Sequence, residues 1–268
     1  MLDYDLEAAR YDETRGGLER AEAAAAALSE LVPADAAVLV DVACGTGIVS
    51  ELLKRPGRMV IGVDYSAGML ALARPRLNAV ARGDATRLPI AAGVADAVTF
   101  MWLLHLVDAP VVEAAIGEAA RVLRPGGVLV TSVDKNSAAF STASDVGALL
   151  QAARRDLAPE PTDSFELVRA IAAEAGLEFA ATAGYVGHGQ GRTPQAWAHA
   201  VRERLSWSRN ADPEAIAELC RQLAALPDQD VERPDPVYTL AAFRRRASSS
   251  TVEGVRRRAQ RVRADDCG

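Results

Sequence analysis

Val38-Leu39-Val40-Asp41-Val42-Ala43-Cys44-Gly45-Thr46-Gly47 carries a β-branched apolar run into an acid and then into a turn of small residues. Apolar residues resume over 48–53, so the stretch predicts strand, glycine turn and helix in succession. Glycines at such a turn let a ligand approach backbone N–H groups at a helix N-terminus. A second apolar run, Met59-Val60-Ile61-Gly62-Val63, delivers Asp64 a little over 20 residues after Asp41. That is roughly the spacing at which a carboxylate meets ribose hydroxyls in a mononucleotide-binding α/β half. Together the turn and the acid point to an adenosine-containing ligand.

Working outward, the pattern alternates. Strands are predicted near 36–42, 59–64, 77–83, 95–102 and 127–133, with helices near 47–55, 67–74 and 110–123 between them. Arg124-Pro125-Gly126-Gly127 predicts a turn before the fifth strand. Helices follow near 144–157 and 163–175, then a strand near 177–186 and a glycine-rich stretch, 187–191. Two amphipathic helices near 194–206 and 213–226 precede a last strand near 237–243. The βα rhythm predicts an α/β fold: a doubly wound, mostly parallel, seven-stranded Rossmann-like sheet. It has an N-terminal helical segment, with an alanine-rich helix over 17–31 stopped by Pro33, and a helical lid between the last two strands. One domain is expected over 1–243, divided into a cap (1–35), a cofactor-binding half (36–134) and a substrate-side half (135–243) with lid helices about 194–226. The arginine-rich segment 244–268 reads as a solvated tail.

Composition excludes several classes. A net charge of −6 argues against a chain built to neutralise nucleic-acid phosphates. Three cysteines (Cys44, Cys220, Cys267) without paired spacing suit neither a disulfide framework nor a metal site. The acidic start lacks an apolar signal core, and no run nears the ~18 apolar residues that span a bilayer. The expectation is a cytoplasmic monomer or homodimer with no membrane and no nucleic-acid partner.

No lysine follows Gly47 in Walker position, so a P-loop is excluded. A dinucleotide fingerprint wants glycine at Ala43 and glycine or alanine at Ser50, which leaves a nicotinamide-dependent oxidoreductase as an alternative only. Four further segments occur in order: Val63-Asp64-Tyr65-Ser66, Gly83-Asp84-Ala85, Leu88-Pro89, and Arg121-Val122-Leu123-Arg124-Pro125-Gly126-Gly127. With the opening turn, this ordered set resembles the class I S-adenosylmethionine-dependent methyltransferases of the small-molecule, natural-product type. The resemblance is close over 36–134 and looser in the N-terminal segment and late strands; Ala43 departs from it, where the family often has glycine.

The resemblance implies roles residue by residue. Gly45 and Gly47 would line the methionine end of S-adenosylmethionine and offer backbone N–H groups to its carboxylate, beside Ala43. Asp41 would lie near the cofactor's ammonium, or else anchor the loop. Asp64, followed by Tyr65, would accept from both ribose hydroxyls. Asp84 would accept from the adenine amino group, with Gly83 and Ala85 alongside and Met69 and Met101 packing on the cofactor. A tyrosine-bearing N-terminal segment, Tyr4 with Tyr11 and Arg15, would fold over the site. His105, after the fourth strand, is the candidate general base. Trp102, Phe140, Tyr185, Trp197 and Trp207 are candidate walls of the acceptor pocket; His188 is placed to reach substrate, and His199 reads as a solvated helix position. The chain lacks the Asn/Asp-Pro-Pro-aromatic tetrad of nucleic-acid amino-methyltransferases and the nucleophilic cysteine of pyrimidine-C5 enzymes. The implied activity is methyl transfer to an oxygen, nitrogen or carbon nucleophile of a small-molecule acceptor, in specialised metabolism. A non-catalytic S-adenosylmethionine-binding module is the alternative.

Overall fold

The structure is a computed structural model that describes residues 4–157, 161–203 and 211–247. Trp207, the side chain of Phe140 and the tail from 248 lie outside the described residues. The chain opens with two single-turn helices, α1 (Tyr4–Glu7) and α2 (Tyr11–Thr14), and the long α3 (Gly17–Leu31). α3 turns Ala21, Ala24, Ala25 and Leu28 inward and ends just before Pro33. Then come β1 (Val38–Val42), α4 (Ile48–Glu51), β2 (Met59–Asp64), α5 (Ala67–Ala73), β3 (Ala79–Arg82), β4 (Ala95–Phe100) and α6 (Ala109–Val122). The second half holds β5 (Leu123–Val133), α7 (Lys135–Ser141), α8 (Asp145–Leu157), α9 (Phe165–Glu174), β6 (Leu177–Val186), α10 (Pro194–Arg202), α11 (Pro213–Ala224) and β7 (Val237–Arg245). Side-chain caps start the helices where the sequence supplies them: Ser66, Asp108, Ser164, Thr193 and Asp212 each accept an N–H three residues on.

The seven strands form one sheet in the order β3-β2-β1-β4-β5-β7-β6. β1 to β5 run parallel, and β7 enters antiparallel between β5 and β6. Helices cover both faces, which is why β4 is buried at every position. From β1 the chain winds outward through β2 and β3, then crosses back to β4 on the other side of β1. The crevice outside the carboxyl ends at that reversal is where ligands bind in open α/β sheets.

Three details depart from the sequence expectations. Arg124-Pro125-Gly126-Gly127 does not separate helix from strand but bulges out within β5: Leu123 pairs with Ala95, and the next paired residue, Val128, faces Ala97. Gly126 makes the bulge with φ +81°, and a side chain at Gly127 would sit 3.0 Å from the Arg124 and Asp96 carbonyls. Arg244 and Arg245, assigned to the tail, belong to β7, where they pair with Val128 and Leu177. The lid helices α10 and α11 pack with α8 around a small core of their own, made of Val146, Leu150, Trp197, Val201, Ile216, Leu219 and Leu223.

Asp96 locks the N-terminal edge of the sheet. Its Oδ2 accepts the Ala37 and Val38 N–H groups at 2.8 and 2.7 Å, and its Oδ1 accepts from Arg124 Nε. Asp96→Ala strands these donors in a largely buried place, so we expect a loss of about 2–3 kcal/mol in urea unfolding. The ligand crevice lies at the opposite end of the strands, so ligand affinity should hold; an unchanged urea midpoint would refute this anchoring.

Candidate cofactor and acceptor site

The carboxyl ends of β1, β2, β3 and β4 surround a cavity of about 490 Å³, within the range of small-molecule sites. Val42, Ala43 and Gly45 line it from β1, Val63, Asp64 and Tyr65 from β2, Gly83, Asp84 and Ala85 from β3, and Met101, Trp102 and Leu103 from β4. Met69 of α5, Leu106, Val107 and Val111 beyond β4, and Tyr4 and Tyr11 of the N-terminal segment complete the wall.

Asp64 organises the first two loops. Its Oδ2 accepts the Gly45 N–H and its Oδ1 the Ser66 N–H, both at 2.8 Å. Burial pushes its pKa up, while the amides of Ser66, Gly45 and Tyr65 work the other way. Each carboxylate oxygen has a second lone pair, so the group can still accept from ligand hydroxyls. Gly83 ties in the third strand by donating its N–H to the Asp64 carbonyl at 3.0 Å. A side chain at Gly83 would meet Pro89 at 2.7 Å and Val63 at 3.0 Å. The Oδ1 of Asp84 accepts from both the amide and the hydroxyl of Thr86 at 2.8 Å, while its other oxygen carries no bond from the described residues. Those two bonds hold its pKa below the usual carboxylate value.

The glycine turn differs from what its sequence implies. The Gly45 N–H is taken by Asp64 and the Gly47 N–H by the Cys44 carbonyl at 2.9 Å, so neither is left for a ligand carboxylate. Gly47 lies off the cavity wall; at φ +76° it brings α4 close to α5, where a side chain would stand 3.2–3.3 Å from Leu77 and Ala73. Ala43 also adopts a left-handed backbone, φ +58°, a conformation that costs a residue with a Cβ about 1–2 kcal/mol. Asp41 is likewise not on the wall. It is 2% exposed and accepts from Thr99 Oγ1 at 2.7 Å and from Ser50 Oγ, which makes it the anchor beneath the turn. Burial raises its pKa to about 6 against the opposing effect of those hydroxyls. The Cys44 thiol is pushed upward by burial and by Asp41 and Asp64, which keeps it un-ionised.

The N-terminal segment is latched onto these loops by two acids that the motif reading did not single out. Asp5 Oδ1 accepts from Ser66 Oγ and from the Gly68 N–H, at the start of α5. Asp12 accepts from Thr46 Oγ1 at 2.6 Å and pairs with Arg76 at 2.9 Å, and Arg76 also bonds the Thr46 carbonyl at 3.1 Å. An acid in a short N-terminal helix gives no sequence sign that it will reach a turn more than thirty residues away; only folding brings them together. The latch sets the Tyr4 and Tyr11 rings 6.2 Å apart over the cavity, with Arg15 5.7 Å from the Tyr11 ring.

Beyond Trp102 the character changes. Trp102 holds φ +57°, strained for a bulky residue. Its N–H meets Ser132 Oγ at 3.0 Å, and its indole N–H donates to the Tyr185 hydroxyl at 2.8 Å. Tyr185 is therefore a buried wall behind Trp102, with Tyr238 5.5 Å away. The Arg20 guanidinium lies 3.7 Å over the Trp102 ring. His105 occupies a single 3₁₀ turn, Leu104–Leu106, and its buried Nδ1 has no hydrogen-bond partner. Burial, followed by the cations Lys135, Arg20 and Arg15, pushes its pKa down to about 2. His105 is neutral here, an acceptor of hydrogen bonds and a weak base while those charges go uncompensated.

The remaining candidates lie elsewhere. His188 faces Glu19 at 3.6 Å beside α3, Trp197 is buried in the α8/α10/α11 core, and His199 is exposed on α10. Among the described residues, no helix is long and apolar enough to cross a membrane.

Residues 40–131 match the protein family described as "Methyltransferase domain". Over 93 residues the chain is 44% identical to a demethylmenaquinone methyltransferase of Mycolicibacterium paratuberculosis, covering 34% of this chain and 39% of that protein. The chain thus spans about two fifths of the length of this curated relative. Among solved structures, the [4+2]-cyclase SpnF superposes with a TM-score of 0.58 at 20% identity, covering 91% of this chain and 94% of that one. A putative methyltransferase from Bacillus halodurans gives a TM-score of 0.55 at 20% identity, covering 83% and 98%.

Asp41 supplies a test of this geometry. Its folded pKa lies above the ordinary 3.8, so between 3.8 and about 6 the folded state binds more protons than the unfolded one. Its contribution to stability therefore falls as pH rises through that window. Asp41→Asn removes the titration; the unfolding free energy of the wild type relative to this variant should decline from pH 3.8 to about 6, and a flat difference would refute the buried anchor.

Proposed function

We propose that this chain, whose residues 40–131 form a methyltransferase domain within the class I S-adenosylmethionine-dependent methyltransferase fold, transfers a methyl group to a small-molecule acceptor. The observation that carries the reading is the cavity at the sheet's reversal, where Asp64 and Asp84 stand at the ends of adjacent strands. This donor set fits S-adenosylmethionine. Asp64 suits the ribose diol, the free oxygen of Asp84 suits the adenine amino group, and Met69 and Ala85 give the ring an apolar seat. Since Gly45 and Gly47 have spent their N–H groups, Arg15 on the latched segment is the cation we assign to the methionine carboxylate.

When bound, the cofactor supplies a methyl group on a positively charged sulfur, an electrophile that needs no further activation. The work left to the chain is alignment and exclusion of water, which supplies at most about 7–11 kcal/mol in well-oriented systems. Tyr4 and Tyr11 close over the donor through the Asp5 and Asp12 latch, and Trp102 and Leu103 separate donor from acceptor. These walls would hold the acceptor's nucleophile in line with the donor's methyl group. For a hydroxyl or amine, the proton leaves towards a basic atom or water. His105, the candidate base, stands in the 3₁₀ turn between Leu103 and Leu106 of the cavity wall. Specialised metabolism is the setting we assign to the acceptor.

Calorimetric titration with S-adenosylmethionine tests the cofactor. Asp64→Ala should weaken binding at least about tenfold, and Asp12→Ala, by releasing the N-terminal segment, by about threefold to tenfold. A wild type that does not bind, or an Asp64→Ala variant that binds as tightly, would sink the assignment. Separately, His105→Ala should lower turnover while cofactor affinity stays nearly constant; full activity would remove His105 from the site.

A further inference from the structure

Arg20 of α3, Lys135 of α7 and Arg192, just ahead of α10, converge behind Trp102. The Arg20 guanidinium is 3.7 Å from the Trp102 ring and 5.5 Å from the Tyr238 ring, and the Lys135 ammonium is 5.9 Å from the same Tyr238 ring. Arg192 lies against Trp197 at 4.9 Å, close enough to act electrostatically on Lys135 and Tyr238. Among the described residues none of the three forms an ion pair, although Arg76, Arg124 and Arg233 in the same chain do. Arg20 is 4% exposed; it donates once, to the Arg15 carbonyl at 2.7 Å, and its Nε has no partner. The carboxylate acting on Lys135 is Asp163, which lies beyond ion-pair distance, takes the Lys135 backbone N–H at 2.8 Å and is itself held towards its neutral form by burial.

Gathering like charges away from bulk water is costly unless an opposite charge joins them. The cost is visible in Lys135, whose pKa burial and then Arg20 and Arg15 lower to about 8. Yet Lys135 is only half-buried and Arg192 is exposed, so water reaches groups that protein surrounds. That combination leaves the cluster partly open to water rather than sealed in the core. Nor does overall charge explain it, because the chain is net −6. The cofactor's own carboxylate satisfies one cation, Arg15, and leaves these three.

We propose that the methyl acceptor is a small organic anion, held through a carboxylate or phosphate group by Arg20, Lys135 and Arg192 against the Trp102 and Tyr238 rings. This rests on the transferase reading above. Trp102 belongs to both the donor cavity and the cationic cluster, so the acceptor is seated next to the donor. Arg20 is too deeply set to meet a polymer backbone, which confines the ligand to a small molecule. His105 feels two of these cations, Lys135 and Arg20, so the arriving anion offsets the part of its lowered basicity that they add to burial.

The test uses the full chain loaded with S-adenosylhomocysteine, titrated calorimetrically with benzoate, phenyl phosphate and the neutral benzamide. Benzoate or phenyl phosphate should bind at least about tenfold tighter than benzamide, and whichever binds better identifies the anionic group. Lys135→Gln and Arg192→Gln should each reduce that anion's affinity by about tenfold while S-adenosylmethionine still binds, which certifies the fold. Equal affinity for benzamide, no binding of either anion, or unchanged affinity in both variants would overturn the proposal while leaving the cofactor reading intact. Anion binding in a protein that takes no S-adenosylmethionine would overturn the transferase reading, and with it the acceptor role.

Discussion

A single carboxylate, that of Asp64, joins the turn after β1 to the turn after β2 by accepting the Gly45 and Ser66 N–H groups. Its carbonyl accepts the Gly83 N–H and so reaches the turn after β3. Three loops that are remote in sequence are thereby fixed around one residue, and the cavity is the space they leave. Desolvation makes this charge expensive, and the converging amides offset it. The N-terminal segment is registered on the same loops, since Asp5 bonds Ser66 and Asp12 bonds Thr46. Loosening Asp64 would therefore disturb the ligand contact, the glycine turn and the cap together.

Most of the fold was legible because its period is local. Each parallel strand is a short apolar run between turn residues, and α5, α6, α9, α10 and α11 each have a side-chain cap, so order and type follow from residues within a few positions of one another. The fifth strand shows the boundary of that logic. Pro125 and Gly126 read as a turn, and locally they are one, but Leu123 still pairs with Ala95, so the strand begins before the bulge rather than after it. At the site, Asp64, Asp84, Ala43 and Met69 line the cavity. Gly45 and Gly47 keep their motif but change their work, and Asp41 takes the anchoring one of its two readings, because whether an amide or a carboxylate is free depends on a partner elsewhere: Asp64, Cys44, Ser50 or Thr99. The Asp5 and Asp12 latches and the convergence of Arg20, Lys135 and Arg192 are long-range contacts with no local signature.

Trp102 marks the border between the two halves of the site. A left-handed backbone at a tryptophan costs about 1–3 kcal/mol, and the surroundings over-determine it: Ser132 holds its N–H, Tyr185 its indole, and Arg20 its face. The conformation turns the ring between the donor cavity on one side and the cationic cluster on the other. Electrostatics divide along the same line. The donor side is acidic and hydrogen-bonded through Asp64 and Asp84, suited to hydroxyl and amino donors, whereas the far side presents cations without counter-charges.

The hydrophobic cores follow this division. The sheet is packed by one cluster centred on α3 and another centred on α6 and α9, which between them fix the strand ends that carry Asp64, Asp84 and Trp102. α8, α10 and α11 close on a third cluster that shares no residue with either. Arg192 lies just ahead of α10 and stacks on Trp197 of that third core, while Arg20 and Lys135 are carried by α3 and α7. The anion site is thus assembled from side chains on both sides of this division. α8 of the third core also packs on α7, where Arg154 donates to Ser137 Oγ at 2.6 Å, so a change in the volume of that core reaches Arg192 and Lys135 through elements that make none of the bonds to Asp64. Selection among acceptors therefore has a physical route separate from retention of the methyl donor.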